Sequence, residues 1–306
     1  MKNVGNTTNI KTVFIIIAIV MIGLGFVLSF GAIVAMRFDF NKMNTILFRT
    51  NTYSIDNKFA NIRINGAECS VRILPSNDAL GKVVCQESDK IVHTVTVKDN
   101  TLMIERIDKR RWYEHFGVYW GHMEIEVYLP QSEFESLYVK NLSGDIVIPK
   151  EFHFESAEVQ STSGDIHFMA AVDGDLSAKT VSGELYLGEM LPQKLNIRST
   201  SGDIELSNAK CQTVTINTTS GEIEMSNVIA DENIHIESVS GDVNLHQCDA
   251  ASLWLKTVSG DVSGLLLTKK IFFVNTTSGD IDVPHLDSGG KCEVTTVSGD
   301  VEFDVK

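Results

Sequence analysis

The 306 residues hold no Cys-x-x-Cys pair, no His-Glu-x-x-His and no phosphate-cradling glycine loop. Those absences remove the commonest thiol-redox, zinc-protease and nucleotide-phosphate signatures. The eight histidines lack metal-ligand spacing, His115 and His122 standing seven apart, and none recurs at a fixed offset from a serine. A serine without a base beside it is a poor nucleophile, so serine hydrolysis has no support. Basic residues are scarce in the second half: from Glu135 to Lys306 there are 11 Lys/Arg against 27 Asp/Glu, whereas residues 1–134 carry 15 and 13. So acidic a surface repels phosphate backbones, which excludes nucleic acid as its partner. Disorder is excluded by composition, with 43% hydrophobic and 22% charged residues.

Charge is missing altogether from Val13 to Met36, 24 residues. As a helix this run is about 36 Å long at about 1.5 Å per residue, enough for a hydrocarbon core of about 30 Å. Ala35 could serve a cleaved signal peptide, but such an apolar core is only about 7–15 residues long, so the length favours an uncleaved anchor. Lys2 and Lys11 precede the run while Arg37, Lys42 and Arg49 follow, and the positive-inside rule therefore sets no orientation. Because the folded mass follows the span, we expect a single-pass protein of the cell membrane with that mass outside the cytoplasm.

Beyond the span one phrase recurs. Ser-Gly-Asp/Glu occurs nine times, with glycines at 144, 164, 183, 202, 221, 241, 260, 279 and 299, always 19 or 20 residues apart. Aligned on the glycine, apolar residues fill the columns seven and five before it (Leu137 and Val139 in the first copy) and two and four after it (Ile146 and Ile148). Gly264 is the exception in the last column. Between these columns runs a Ser/Thr row from Ser161 to Thr296. Period-two alternation on both sides of a glycine turn marks short strands with one buried face, and stacked copies would join each apolar column into a continuous core. The expected fold class is all-β: a parallel β-helix or β-solenoid of about nine 19–20-residue coils, roughly 40 Å long at about 4.8 Å per coil, each coil pairing with the next.

The pattern divides the chain into a short N-terminal tail (1–12), a transmembrane helix (13–36), a linker (37–49), a β-rich capping region (50–134) and the repeats (135–306). The cap shows strand-like pairs at Ile62/Ile64, Val71/Ile73, Val83/Cys85, Val95/Val97, Leu102/Ile104 and Ile125/Val127, with turns at Pro75–Asp78 and Lys98–Asn100. At the far end, Glu302, Asp304 and Lys306 would blunt the terminal strand. In each corner, glycine supplies a positive φ while serine and aspartate accept backbone N–H bonds.

Three groups are candidate sites. The turn acids Asp145, Asp165, Glu184, Asp203, Glu222, Asp242, Asp261, Asp280 and Asp300 form a ladder at roughly 5 Å spacing, either a ridge for calcium or a cationic partner, or solvated turns whose carboxylates satisfy backbone donors. A calcium site wants six to eight oxygens, which favours the second reading. Paired carboxylates about 5 Å apart also suit retaining glycosidases, but nine equivalent pairs single out none. Arg110, Arg111, Trp112, Tyr113, Tyr119 and Trp120 lie in an aromatic, basic segment, either an interaction loop for a ligand or lipid headgroups or a hairpin folded over the core. Of the five cysteines, Cys248 and Cys292 read as small buried hydrophobes, and Cys211, two repeats from Cys248 and at a different corner, is poorly placed to bridge it. A hairpin centred on Asn77 would set Cys69 opposite Cys85, close enough for a disulfide in an oxidising compartment.

The Ser-Gly-Asp/Glu turns between alternating apolar residues, together with Lys98–Ile104 and Glu124–Pro130, resemble the bacterial putative-adhesin family of β-strand repeats, a domain of unknown function, from about Ile55 to Lys306. The resemblance implies a β-repeat domain tethered by one N-terminal span and displayed outside the cytoplasm, in some relatives within cell-envelope stress systems. It brings no catalytic residues. The expected function is therefore non-enzymatic, needing no cofactor: a surface protein binding an envelope polymer or another cell. The alternatives are a structural or regulatory envelope component acting through a membrane-protein partner and, lastly, a carbohydrate-active enzyme.

Overall fold

The computed structural model describes residues 7–35, 38, 48–77, 79–112 and 123–306. Among them the chain forms one helix, α1 (Thr7–Ala35), and 24 strands. Within α1, Thr12–Ala35 has a mean hydropathy of 3.0 and none of it is buried in the protein. It is apolar all round and long enough to cross a bilayer. The chain divides into two compact units, one holding α1 with the segment at Arg110–Trp112, the other holding every strand.

The cap comprises β1 (Arg49–Ser54), β2 (Asn61–Glu68), β3 (Ser70–Ser76), β4 (Lys82–Glu87), β5 (Ile91–Lys98), β6 (Thr101–Asp108) and β7 (Glu124–Pro130). The repeats follow as β8 (Glu133–Ser143), β9 (Ile146–Ile148), β10 (His153–Gln160), β11 (Ile166–Phe168), β12 (Ala171–Val172), β13 (Asp175–Lys179), β14 (Leu185–Met190) and β15 (Lys194–Arg198). Next come β16 (Ile204–Asn217), β17 (Ile223–Ser226), β18 (Ile229–Glu237), β19 (Val243–Lys256) and β20 (Val262–Leu266). The last are β21 (Lys270–Asn275), β22 (Ile281–Asp282), β23 (Gly290–Thr295) and β24 (Val301–Val305).

Strands before the glycine pair in parallel with one another, and so do strands after it. On the first side Leu137, Ala157, Leu176, Leu195, Val214, Ile234 and Leu253 stand side by side. On the second, Ile146, Ile166, Leu185, Ile204, Ile223, Val243 and Val262 do the same. These columns are almost completely buried, so a row that no single repeat could shield becomes one shared core.

Serial stacking holds only in the middle. After the seventh repeat the next neighbour is the ninth: Leu253 pairs with Cys292, and Val262 with Val301. The eighth lies outside it, with Phe272 against Cys292 and Ile281 against Val301. The last repeat is thus inserted between its two predecessors. Gly289 and Gly290 make room: a Cβ on Gly289 would lie 2.1 Å from the Lys269 oxygen, and one on Gly290 2.6 Å from the Ala251 oxygen. The C-terminal strand β24 is therefore paired on both sides, and the outer edge is made by β21, six residues long, and β22, two residues long and followed by Pro284, rather than by the charged terminal strand expected from sequence. Short strands and proline discourage pairing with other chains.

The N-terminal end repeats the arrangement. β2 lies between β6 and β8, and β3 between β7 and β9, all in parallel. Ile62, Ile64 and Val71 pair with Leu137, Val139 and Ile146, and Ile73, two residues further along β3, keeps the inward parity of Ile148. Leu102, Ile104, Ile125 and Val127 extend those columns one layer further. The cap thus contains two degenerate repeats without the Ser-Gly-Asp corner. Beyond them β5 pairs antiparallel with β6, β4 with β7 and β1 with β4, which closes that edge.

The corners correct the account of glycine. Only some of the nine have positive φ, for example Gly221 at 116°. What all but the first share is contact with the next glycine: a Cβ on Gly164, Gly183, Gly202 or Gly221 would lie 2.1–2.5 Å from the preceding glycine's oxygen. The column is glycine because backbones stack there without room for a side chain. The Ser/Thr row points inward. Ser161, Thr180, Ser199, Thr218, Ser238, Thr257 and Thr296 are buried, since three before the glycine shares the inward parity of seven and five.

Candidate functional site

Each Ser-Gly-Asp corner is built by its neighbour. The Asp145 Oδ1 accepts the Asp165 amide (3.1 Å), Asp165 accepts that of Glu184 (2.9 Å), Asp203 that of Glu222 (2.8 Å) and Asp242 that of Asp261 (2.9 Å). The series then follows spatial order, Asp261 accepting from Asp300 (2.8 Å) and Asp300 from Asp280 (2.8 Å). Each of these aspartates therefore spends an oxygen closing the next turn, and the exposed acids form a continuous ridge. Among the described residues the ridge brings no three ligand atoms within 4.8 Å of one another.

Beside the ridge runs a row that sequence reasoning missed, two residues before each glycine. Leu142, Val181, Val239, Val258 and Val297 are 42–50% exposed there, and threonines fill the other places. Pairing of Ser240 with Ser259 and of Ser259 with Ser298 makes Val239, Val258 and Val297 consecutive. Period-two parity between the buried Ser/Thr row and the glycine already pointed this row outward. On the outer face of the sheet before the glycine, His235 stacks flat on Trp254, with centroids 4.2 Å apart.

Arg110, Arg111 and Trp112 follow β6, with Trp112 well exposed; Tyr113, Tyr119 and Trp120 lie outside the described residues. Along the chain this segment lies between β6 and β7.

The expected Cys69–Cys85 disulfide is corrected. β4 does not fold back on β3, because β7 takes that edge: Ile125 pairs with Val71 on one side and Cys85 on the other. All five cysteines are free and buried. Burial pushes Cys69, Cys85, Cys211 and Cys292 up to about 12 and Cys248 to about 11, so they remain thiols at neutral pH.

A polar cluster unforeseen from sequence lies inside the cap. Inward alternation on β4 carries Cys85 and Glu87, and β5 carries His93, all buried. Glu87 accepts from the Asn51 amide group, from the Tyr53 hydroxyl (2.9 Å), from the His93 backbone N–H and at 3.1 Å faces His93 Nδ1. Burial would raise the Glu87 carboxyl, but these bonds outweigh it and hold it below the usual carboxylate range. Burial pushes His93 down against the pull of Glu87, keeping the ring neutral. His93 Nε2 has no partner. Arg106, opposite His93 on β6, is paired instead with Glu68 (3.1 Å) and Asp108 (3.4 Å).

Three solved structures resemble this fold. A putative lipid binding protein from Parabacteroides distasonis aligns with a TM-score of 0.55 at 14% identity, covering 85% of this chain and 98% of its own. A putative adhesin from the same organism gives 0.53 at 11% identity, covering 85% and 98%. A putative adhesin from Bacteroides fragilis gives 0.46 at 18% identity, covering 84% and 97%. No curated protein matches the chain. The first two likenesses establish a shared all-β fold, and the family model of Toastrack DUF4097 matches residues 59–270, across both the cap and most of the repeats: the chain belongs to the Toastrack DUF4097 family.

Proposed function

We propose that this protein is a non-enzymatic surface adhesin: a β-solenoid, anchored by α1 outside the cytoplasm, that binds a cell-envelope polymer or another cell through its corner ridge. The observation that carries this reading is the exposed Leu/Val/Thr row beside the acid ladder. A folded chain gains nothing by repeating half-exposed apolar side chains along one line, and contiguous exposed apolar surface commonly marks an interaction site. Successive positions on that line recur at about 4.8 Å, a spacing suited to an extended, periodic ligand. The adhesin and lipid-binding names of the fold relatives agree with a binding role.

The test is co-sedimentation of the full-length protein, held in detergent micelles, with purified envelope polymer in calcium and in chelator. Pelleting that Val239→Ser and Val258→Ser reduce at least fivefold would support the ridge as the binding face. Calcium enters through the acids: Asp203→Asn and Asp242→Asn keep the acceptor oxygen that closes the corner while removing charge, so loss of calcium-dependent pelleting in these variants would assign the cation to the ladder. Absence of pelleting in both conditions would overturn polymer binding and favour a membrane-protein partner.

A further inference from the structure

The cap cluster does not belong to the ridge, and its chemistry is different. One ligand atom each from Cys85, Glu87 and His93 lies within 4.8 Å of the other two, and all three residues are buried. We propose that Cys85 Sγ, the Glu87 carboxylate and the His93 imidazole form a binding site for one divalent cation of borderline softness, of which zinc is the type.

The donor set selects the ion class. Thiolate, imidazole and carboxylate together suit zinc, whereas calcium and magnesium take oxygen alone. The 3.1 Å between His93 Nδ1 and Glu87 Oε1 is near the roughly 3.3 Å that separates two ligands of a tetrahedral ion bound at about 2.0 Å. Charge also balances: one thiolate, one carboxylate and a neutral ring cancel a divalent cation. Without a cation, the buried Glu87 carboxylate is left with neutral hydrogen-bond donors, because the nearby Arg106 is engaged with Glu68 and Asp108.

With Nδ1 on the ion, the ring proton sits on Nε2, which is buried without a partner among the described residues, in a side chain only 1% exposed. The Cys85 thiol, like that of Cys292, donates to nothing among the described residues, whereas the buried thiols of Cys69, Cys211 and Cys248 each find a backbone oxygen; Cys85 can therefore give its proton up to an ion without losing a bond. Asn51 and Tyr53 hold the carboxylate from outside, the arrangement that orients a metal-binding carboxylate. Because those two residues belong to β1, the ion would fasten the first strand of the domain to β4 and β5. Because all three ligand residues are buried, the ion would enter through local opening of the cap.

The test uses the full-length protein purified in chelator, then dialysed against limiting zinc or cobalt. We expect one equivalent of zinc per chain by elemental analysis and, with cobalt, a thiolate charge-transfer band. Cys85→Ser should abolish the band and His93→Gln should weaken zinc at least tenfold, while Cys292→Ser, a buried cysteine elsewhere, changes neither. Should the cap variants fail to fold, the wild type still decides: zinc should raise its thermal midpoint and magnesium should not. No zinc at one equivalent, or zinc retained unchanged in both folded cap variants, would overturn the site.

Discussion

Gly202→Ala separates two explanations of the corner. Gly202 does not adopt a left-handed φ, yet a Cβ there would sit 2.1 Å from the Gly183 oxygen, where ordinary contact begins at 3.4 Å. The repeats would have to part by roughly 1 Å at a point flanked by backbone bonds of 2.8 Å (Ser201 to Val181) and 2.9 Å (Ser220 to Thr200), which lose strength steeply on stretching. Overpacking of this kind, with one or two bonds weakened, costs about 2–4 kcal/mol. For a domain of this size that lowers the thermal midpoint by roughly 5–15 °C. The assay is urea and thermal unfolding followed by the β-sheet circular dichroism of the full-length protein in detergent, with Gly25→Ala as control, since nothing lies within 4 Å of a Cβ there. Gly183→Ala extends the comparison. Gly183 also has no left-handed φ, so a conformational requirement would spare it, whereas a Cβ 2.3 Å from the Gly164 oxygen predicts a loss as large as that of Gly202→Ala. A Gly202→Ala protein within about 0.5 kcal/mol of wild type would refute stacking as the reason for the glycine column.

Other perturbations probe separate parts of the fold. Gly290→Val would drive its side chain against the Ala251 oxygen and Lys270, so the ninth repeat should fail to insert and limited proteolysis should cut near the C-terminus while earlier repeats resist. Thr257 is 1% exposed and its hydroxyl has no partner, so Thr257→Val should be neutral or stabilising by up to about 1 kcal/mol in urea unfolding. Thr218 donates to the Ser220 oxygen at 3.0 Å, and Thr218→Val should instead cost about 1 kcal/mol. The Lys179 ammonium, 2.8 Å away, is the main cause that holds the Glu158 carboxyl below its ordinary value of 4.5. A depressed carboxylate contributes stability that is present above the unfolded value and lost as pH falls through the folded one. Lys179→Met should raise the Glu158 midpoint in an NMR titration, with little change in global stability because the pair is exposed.

How far the sequence could be read follows from which contacts are local. The apolar columns and the parallel pairing of the middle repeats were legible, because alternation within each copy sets which side chains point inward. Parity also carried more than was drawn from it. The buried Ser/Thr row and the exposed row at Val239, Val258 and Val297 both follow from counting in twos from Val139 and its equivalents. The two cap repeats hid for lack of a Ser-Gly-Asp corner, yet Ile62, Ile64, Val71 and Ile73 keep the spacing of two, seven and two seen in Leu137, Val139, Ile146 and Ile148.

Insertion of the ninth repeat was hidden for a different reason. Equivalent copies can pair with any other copy, so the repeat pattern itself is silent on order. Only an unequal feature breaks that degeneracy, and Gly289-Gly290 is such a feature, standing where the preceding repeats carry Lys269-Lys270 and Ala250-Ala251. The same reasoning explains the cap cluster. Cys85 and Glu87 share a face by alternation, but His93 joins them only through β5, which pairs with β6 and not with β4. Stacking a degenerate repeat outside β2 and β3 is what brings the two strands together, so the cluster exists because the chain's first repeat was tucked inward. The insertion at each end therefore does more than hide an edge: at the N-terminus it builds the interior in which a cysteine, a glutamate and a histidine meet.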